Sequence, residues 1–276
     1  MKPQIPSPER AAYLRRAARE RRLVRGSRLL IVVAFFLLWE AAAACKWIDP
    51  FLMSSPSRML ATLGRLAAEG NLLPHIGITC METVAGFLLG TLLGTAIAML
   101  LWWMPRLARI TEPLLVTLNS LPKIALGPVF IVWMGPGTGA IVVMGLAISL
   151  IVTVLEVYHG FVQTDADKVR LVESMGGSRW QVLTKVVLPA NLPTVVNALK
   201  VNIGLSWVGV ITGEYLVSRA GIGYLIVYGG QVFRMDLVMA SVLVLAVLAA
   251  LMYLGVVAIE RRIRRRMLSA DRSGTF

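Results

Sequence analysis

Few side chains in this chain could do chemistry. Lys123 and Lys200 fall nearest the interior of long apolar runs, and Glu40, Glu82, Glu156 and Glu214 fall nearer the ends of such runs. The two histidines, His75 and His159, are far apart in sequence and fall beside different apolar runs. Cys45 and Cys80 stand alone, and with no Cys/His cluster neither a metal site nor a His-based catalytic constellation can be assembled. The phosphate-binding pattern G-x-x-x-x-G-K-[ST] does not occur, and Gly221-x-Gly223 lacks a third glycine. The expectation is a protein with no catalytic residue, metal or cofactor. What remains is charge placed in apolar surroundings, and the elements that carry it are the next question.

Those elements are membrane spans. Hydrophobic residues make up 57% of the 276 and charged residues only 16%, and the mean hydropathy is +0.73, which lies outside the range of soluble domains. Leu237–Ile259 is 23 residues without a charge and Thr83–Met104 is 22, each long enough at about 1.5 Å per residue to cross a hydrocarbon core of about 30 Å. Thr138–Leu155 is also uncharged, while Leu29–Cys45 holds only Glu40, Pro113–Met134 only Lys123 and Pro193–Gly213 only Lys200. The fold class expected is all-α integral membrane, with six transmembrane helices.

Charge orients them. With both ends cytoplasmic, 21 of the 28 lysines and arginines fall on the inner side and five on the outer, the remaining two being Lys123 and Lys200. That asymmetry is what the positive-inside rule expects. It accounts for the net charge of +13 through topology and anionic lipid headgroups, so nucleic acid is not an expected partner. Residues 1–28 read as a basic cytoplasmic segment, disordered before Pro8, and residues 261–276 as a basic cytoplasmic tail. The first apolar stretch contains Trp39 and Glu40 and is followed by Lys46-Trp47-Ile48 where a cleavage site would need small residues, so it reads as a retained helix and not a signal peptide. The cysteines read as apolar fillers, although a Cys45–Cys80 pair is conceivable.

Two helices carry further information. Gly86, Gly90 and Gly94 recur every four residues, a small-residue stripe that lets another helix approach closely in lipid. Pro113, Pro122, Gly127 and Pro128 interrupt the third helix, and such breaks are tolerated at membrane depth where neighbouring helices or a water-lined cavity satisfy the freed groups. This helix is the candidate to line a path, and Lys123, Pro128, Lys200 and Glu214 are the candidate path residues. An ionisable group at depth costs about 2.5 to 3.5 kcal/mol on insertion scales. Lys123 and Lys200 could attract an anion; alternatively each pairs with a glutamate or reaches an interface.

The polar stretch from Asp165 to Pro193, between the fourth and fifth helices, is the most informative. Thr164-x-x-Asp167 is a capping signal for a helix through Met175, and Gly176-Gly177 stops it. Ser178-x-x-Gln181 is a capping box opening a second short helix whose apolar face is Trp180, Leu183, Val186 and Val187, and Pro189 and Pro193 bound its end. So short a unit is marginal in water, and its apolar residues need the bundle or a partner's groove.

This loop resembles the cytoplasmic coupling motif of the inner-membrane permeases of binding-protein-dependent ABC importers. There, a Glu-Ala-Ala triplet is followed after three residues by Gly and later by a Leu-Pro-like end. Gly176 stands as the motif glycine and Leu188-Pro189 as the end. LPKIALGPVFIVWMGPGTG (residues 121–139), SRWQVLTKVVLPANLP (178–193) and GEYLVSRAGIGYLI (213–226) resemble the nitrate, sulfonate and taurine branch, and the likeness covers roughly residues 70–265 of a permease domain placed at 29–260. The triplet itself is replaced by Arg170, Leu171 and Val172, with Glu173 displaced by three, and Glu82 stands where relatives commonly carry a basic residue.

The resemblance implies a bacterial inner-membrane permease whose two copies form a path at their interface. Two separate ATPase subunits would dock on the loop through Arg170, Glu173, Gly176, Gly177, Ser178, Arg179, Trp180, Leu188 and Pro189, and an external binding protein would deliver the solute. The implied solute is a small anion such as an aliphatic sulfonate, taurine or nitrate, although the branch also serves pyrimidine and other vitamin precursors. An ATP-independent secondary transporter and a membrane-embedded enzyme are the alternative classes. The first would be expected to show more helices or an internal inverted repeat, the second a cluster of Asp, His or Ser.

Overall fold

A computed structural model describes residues 8–272. The segment before Pro8 and the end of the basic tail beyond Arg272 lie outside the described residues. In chain order the helices are α1 (Pro8–Ala44), α2 (Pro50–Met53), α3 (Pro56–Ala68), α4 (Leu72–Trp103), α5 (Pro105–Ser120), α6 (Gly127–Met134), α7 (Thr138–Val162), α8 (Ala166–Ser174), α9 (Arg179–Val182), α10 (Leu188–Ala190), α11 (Leu192–Val217), α12 (Ile222–Gln231) and α13 (Met235–Arg272). A 3₁₀ turn over Lys123–Leu126 precedes α6, and a π turn over Leu183–Val187 joins α9 to α10. There is no strand among the described residues, so the all-α expectation holds.

Among the described residues, five helices are long and apolar enough to cross a membrane, within α1, α4, α7, α11 and α13. The third expected span is not one continuous helix. α5 and the Lys123–Met134 segment make a sixth span only as a pair bent by 90°. The break falls at Leu121-Pro122, because proline lacks an N–H and drives the preceding residue out of the helical region. Leu121 accordingly adopts φ −69°, ψ 140°. Pro113, in contrast, is carried inside α5.

α4, α7 and α11 form the packed centre. The glycine stripe of α4 lies against α7: a Cβ on Gly86 would sit 3.5 Å from Gly145 Cα, and one on Gly94 would sit 2.6 Å from Thr153 Cβ. On the other face of α7, a Cβ on Gly209 of α11 would fall 2.5 Å from Gly145 Cα. Three backbones therefore meet at Gly145, with no room for a side chain on Gly209 and ordinary contact for a Cβ on Gly86. Asn202 ties the same three helices together, donating from Nδ2 to Thr91 Oγ1 at 3.2 Å and to the Thr153 hydroxyl.

α4 begins at Leu72 and not near Thr83. His75 and Glu82 resemble the end of an apolar run in sequence, but Glu82 is buried by protein and lies within the helix. α1 stands apart, touching α3, whose N-terminus it caps: Ser57 donates its N–H to Glu40 Oε2 at 2.9 Å and its hydroxyl to Glu40 Oε1 at 2.7 Å. α3 is in turn held to α13 by Arg58, whose Nη2 lies 3.0 Å from Asp236 Oδ1. α12 packs Ile222 and Leu225 against Leu237 of α13.

Candidate functional site

The Asp165–Pro193 loop folds as two helices around a glycine corner. Asp165, not Thr164, caps α8, its Oδ1 accepting the Asp167 N–H at 3.0 Å. Thr164 instead closes the loop across its two ends, its hydroxyl accepting from Asn191 Nδ2 at 2.6 Å. α8 stops where Gly176 adopts φ +78°. The Gly176 N–H donates to Glu173 O at 3.0 Å and the Gly177 N–H to Val172 O at 2.9 Å, the paired bonds of a glycine-terminated helix. The capping box is present in both directions: Ser178 Oγ accepts from the Gln181 N–H at 3.3 Å and Gln181 Oε1 from the Ser178 N–H at 2.7 Å.

α9, the π turn and α10 run on as one short helix with two unlike faces. Val182, Leu183 and Val187 are buried in a cluster with Ala98 and Leu101 of α4, Ala108 of α5, Val157 and Phe161 of α7 and Ala198 of α11. The inner face is thus wedged into the base of the bundle. Trp180, expected on that face, points away from it and is 61% exposed. It sits at the edge of Trp103, ring centroids 6.3 Å apart. Arg179 lies over the Trp102 and Trp103 rings at 5.6 and 5.5 Å, a cation–π contact. Pro189 is exposed and Leu188 half-buried.

Where the motif carboxylate is replaced, Arg170 is exposed and only 4.0 Å from Asp167. Glu173 faces a cleft of 390 Å³ beside α9, which it lines with Val169, Trp102, Arg109, Tyr158 and Arg179. Glu173 therefore shares one cleft at the loop with two guanidinium-bearing side chains, one turn on from the expected position.

The four candidate path residues do not converge. Lys123, at the break between α5 and α6, donates from Nζ to Asn119 O and Oδ1, both at 3.0 Å. Pro128 opens α6 and is exposed, next to Gly127, whose Cβ would meet Leu216 Cδ1 at 2.6 Å. Lys200 pairs with Glu260 at 2.6 Å, the glutamate alternative that its sequence left open. Glu214 is 1% exposed and lies at the opposite end of α11 from the loop.

Around Glu214 the structure brings together residues that sequence reasoning did not group. Thr79 Oγ1 donates to Glu214 Oε1 at 2.6 Å and accepts the Ile222 N–H at 2.7 Å; the Gly223 N–H donates to Glu214 Oε2 at 2.5 Å; the Gly221 N–H donates to His75 Nδ1 at 2.8 Å. Gly221 has φ +107°, and a Cβ there would collide with the Glu214 carboxylate. The available signal was GEYLVSRAGIG itself, a carboxylate followed at short range by two glycines in a turn. Glu156, another of the glutamates noted in sequence, accepts from Asn197 Nδ2 at 2.8 Å. Both cysteines are free thiols. No group of three or more His, Cys, Asp or Glu able to hold a metal occurs among the described residues.

Residues 86–269 match the family described as binding-protein-dependent transport system inner membrane component. A probable ABC transporter permease protein of Haemophilus influenzae Rd is 28% identical over 83% of this chain and 92% of its own length. The taurine transport system permease protein of Escherichia coli K12 is 26% identical over 82% and 84%, and the formylaminopyrimidine transport permease protein of Halalkalibacterium halodurans is 27% identical over 71% and 77%. Among solved structures, the MetNI methionine ABC transporter in an inward facing conformation superposes with a TM-score of 0.63 at 19% identity, over 71% of this chain and 98% of that one.

Proposed function

The chain belongs to the family of binding-protein-dependent transport system inner membrane components, the multi-pass permeases of ABC importers, and from this premise we propose that it forms the path for a small anion such as an aliphatic sulfonate, taurine or nitrate. ATP hydrolysis takes place in a separate ATPase subunit, two copies of which bind the coupling loop, and an extracytoplasmic binding protein delivers the solute. A second, identical permease subunit completes the path. Residues 29–260 are the permease domain, and both termini face the cytoplasm.

The observation that carries this reading is the two-faced helix over residues 179–190. Its inner face, Val182, Leu183 and Val187, is locked into the ends of α4, α5, α7 and α11, so a displacement of the helix must move the bundle with it. Its outer face, with Arg179, Trp180 and Lys185 exposed, has the composition of a docking surface. Gly176 and Gly177 fix the angle at which it leaves α8. Glu173, which lines one cleft with Arg109 and Arg179, serves where the motif carboxylate is replaced. Closure of an ATPase pair on ATP draws the two coupling helices together and opens the bundles to the outside.

The taurine permease relative supports a solute that carries a sulfonate group. The formylaminopyrimidine permease relative supports a second reading, a vitamin precursor carried by the same mechanism.

Purification of the C-terminally tagged protein in mild detergent from its native host, with mass spectrometry of what accompanies it, tests the proposal. An ATPase subunit that travels with the protein and is lost when Gly176, Gly177 and Trp180 are replaced is the expected result. Recovery of intact, folded protein without any ATPase under several detergents would overturn it in favour of ATP-independent transport.

A further inference from the structure

At the end of the bundle opposite the coupling loop, two carboxyl groups are buried against each other. Glu82 of α4 and Glu214 of α11 are each 1% exposed, and the Glu82 carboxyl interacts with Glu214 and with Thr138 of α7. Glu82 Oε2 has no hydrogen-bond partner among the described residues, and Glu82 lines a cleft of 410 Å³ with Pro136, Thr138, Ser218, Arg219 and Ala220.

Two ionised carboxylates in contact away from water require a compensating charge. The elements packed around the pair offer few candidates. From α4 come His75 and Cys80, from α11 Tyr215, from the turn after α11 Arg219, and from α12 Tyr224, stacked on His75; α7 contributes only the Thr138 hydroxyl. His75 accepts the Gly221 N–H at Nδ1, which requires that nitrogen to be unprotonated and the ring neutral. Arg219 is exposed and makes no ion pair with either carboxylate among the described residues. Among the described residues, no cationic side chain is paired with either carboxylate.

We propose that Glu82 and Glu214 form a one-proton site that latches the Ser218–Gly223 turn onto α4. Both oxygens of Glu214 already accept donors, Thr79 O–H on one and Gly223 N–H on the other, so Glu214 is the acceptor carboxylate. The proton resides on Glu82 and is donated to Glu214. A hard metal ion, which takes about six or more oxygens, is poorly served where Glu214 is occupied by N–H and O–H donors and only Glu82 and Thr138 are left.

The turn rests directly on this pair. The Gly221 and Gly223 backbones press on the Glu214 carboxylate so closely that a Cβ at either would collide with it, and Gly221, Ile222 and Gly223 all spend their N–H groups on His75, Thr79 and Glu214. Loss of the proton sets two like charges together. Glu82 then turns into the cleft towards Arg219, and the carboxylate that holds Gly223 is pushed from its place. The site binds one proton and the turn docks with it; one proton leaves to the cleft and the turn releases.

The test uses the full chain in lipid nanodiscs and needs neither solute nor ATPase, so it stands or fails apart from the transport reading. Infrared spectroscopy across a pH series reads protonated carboxyl groups, and hydrogen exchange over residues 214–225, corrected for the intrinsic base-catalysed rate, reads the turn. In the unmodified protein a protonated-carboxyl absorption that the Glu82→Gln spectrum lacks disappears reversibly as pH rises, together with about a tenfold or greater fall in protection at Gly221–Gly223. In Glu82→Gln, which keeps shape and a donor but cannot ionise, the absorption is absent and protection no longer depends on pH. No protonated carboxyl in the unmodified protein, an absorption that survives Glu82→Gln, or turn protection independent of pH in the unmodified protein would each overturn the proposal. The pH dependence of turn protection in the unmodified protein is decisive even if the variant misfolds.

Discussion

The Lys200 ammonium lies 2.6 Å from the Glu260 carboxylate, tying the coupling-loop half of α11 to the end of α13. Each side chain is about a quarter exposed, so the pair sits between the surface case, about 0 to 1 kcal/mol, and the buried case, where removing one partner costs about 3 to 5 kcal/mol. Lys200→Ala is expected to lower stability by about 1 to 2 kcal/mol. A double-mutant cycle with Glu260→Gln, read by thermal denaturation in detergent, should show the two substitutions to be non-additive. A lysine held this way is a helix tie, and Lys200 variants should change the amount of folded protein more than the solute transported. Additive effects would remove the tie.

Glycine positions in the three-helix centre should differ sharply in tolerance. Gly209→Ala places a methyl 2.5 Å from Gly145 Cα, where only backbone could yield, whereas the Cβ of Gly86→Ala meets its nearest atoms at 3.5 Å, ordinary contact. The expected order of destabilisation is Gly209 well above Gly86, with Gly209→Ala costing about 1 to 3 kcal/mol. Melting temperatures of the two purified variants check this, and equal values would mean that α7 and α11 are not packed at Gly145 as described.

In the coupling loop, cap and contact can be separated. Ser178→Ala removes one side of the capping box and should cost about 1 kcal/mol of local stability, seen as faster hydrogen exchange at the start of α9. Trp180→Ala removes a side chain that is 61% exposed and should leave the melting temperature nearly unchanged while weakening ATPase association at least about tenfold, as expected for an aromatic anchor. A large loss of stability in Trp180→Ala would show that the tryptophan packs on the bundle instead.

Much of this was legible in the chain, for reasons that differ from element to element. The glycine stripe of α4, the glycine stop of α8 and the Ser178–Gln181 box depend on local spacing, and all are in place. The boundaries that shifted were set by tertiary partners. α4 extends back through Glu82 because its side chain is enclosed by the bundle, and a proline run that reads as one interrupted span is a 90° bend because Pro122 sits at the turn while Pro113 is absorbed. Trp180 was misplaced because a hydrophobic residue on a short helix can serve the core or a partner, and periodicity does not distinguish them. The Thr79–Glu214–Gly223 cluster joins residues more than 130 apart, beyond the reach of any local pattern.

Outer and inner ties should also be separable. Arg58→Ala breaks the contact to Asp236 and the bond from Nη1 to Pro50 O at 2.9 Å, loosening α3 from α13 at the end away from the loop. Its expected signature is faster proteolysis between α2 and α3, with ATPase binding intact. Loss of ATPase binding in this variant would contradict the assignment of docking to the 165–193 loop alone.

Docking of the outer face of the 179–190 helix on an ATPase can be read with a photo-cross-linking amino acid at position 180. Illumination of the native host's membranes should join this protein to a chain carrying an ATP-binding motif, with no such product from the same probe at position 220 on the opposite end. Cross-links from position 180 to lipid alone, or equal ATPase products from both positions, would contradict the account.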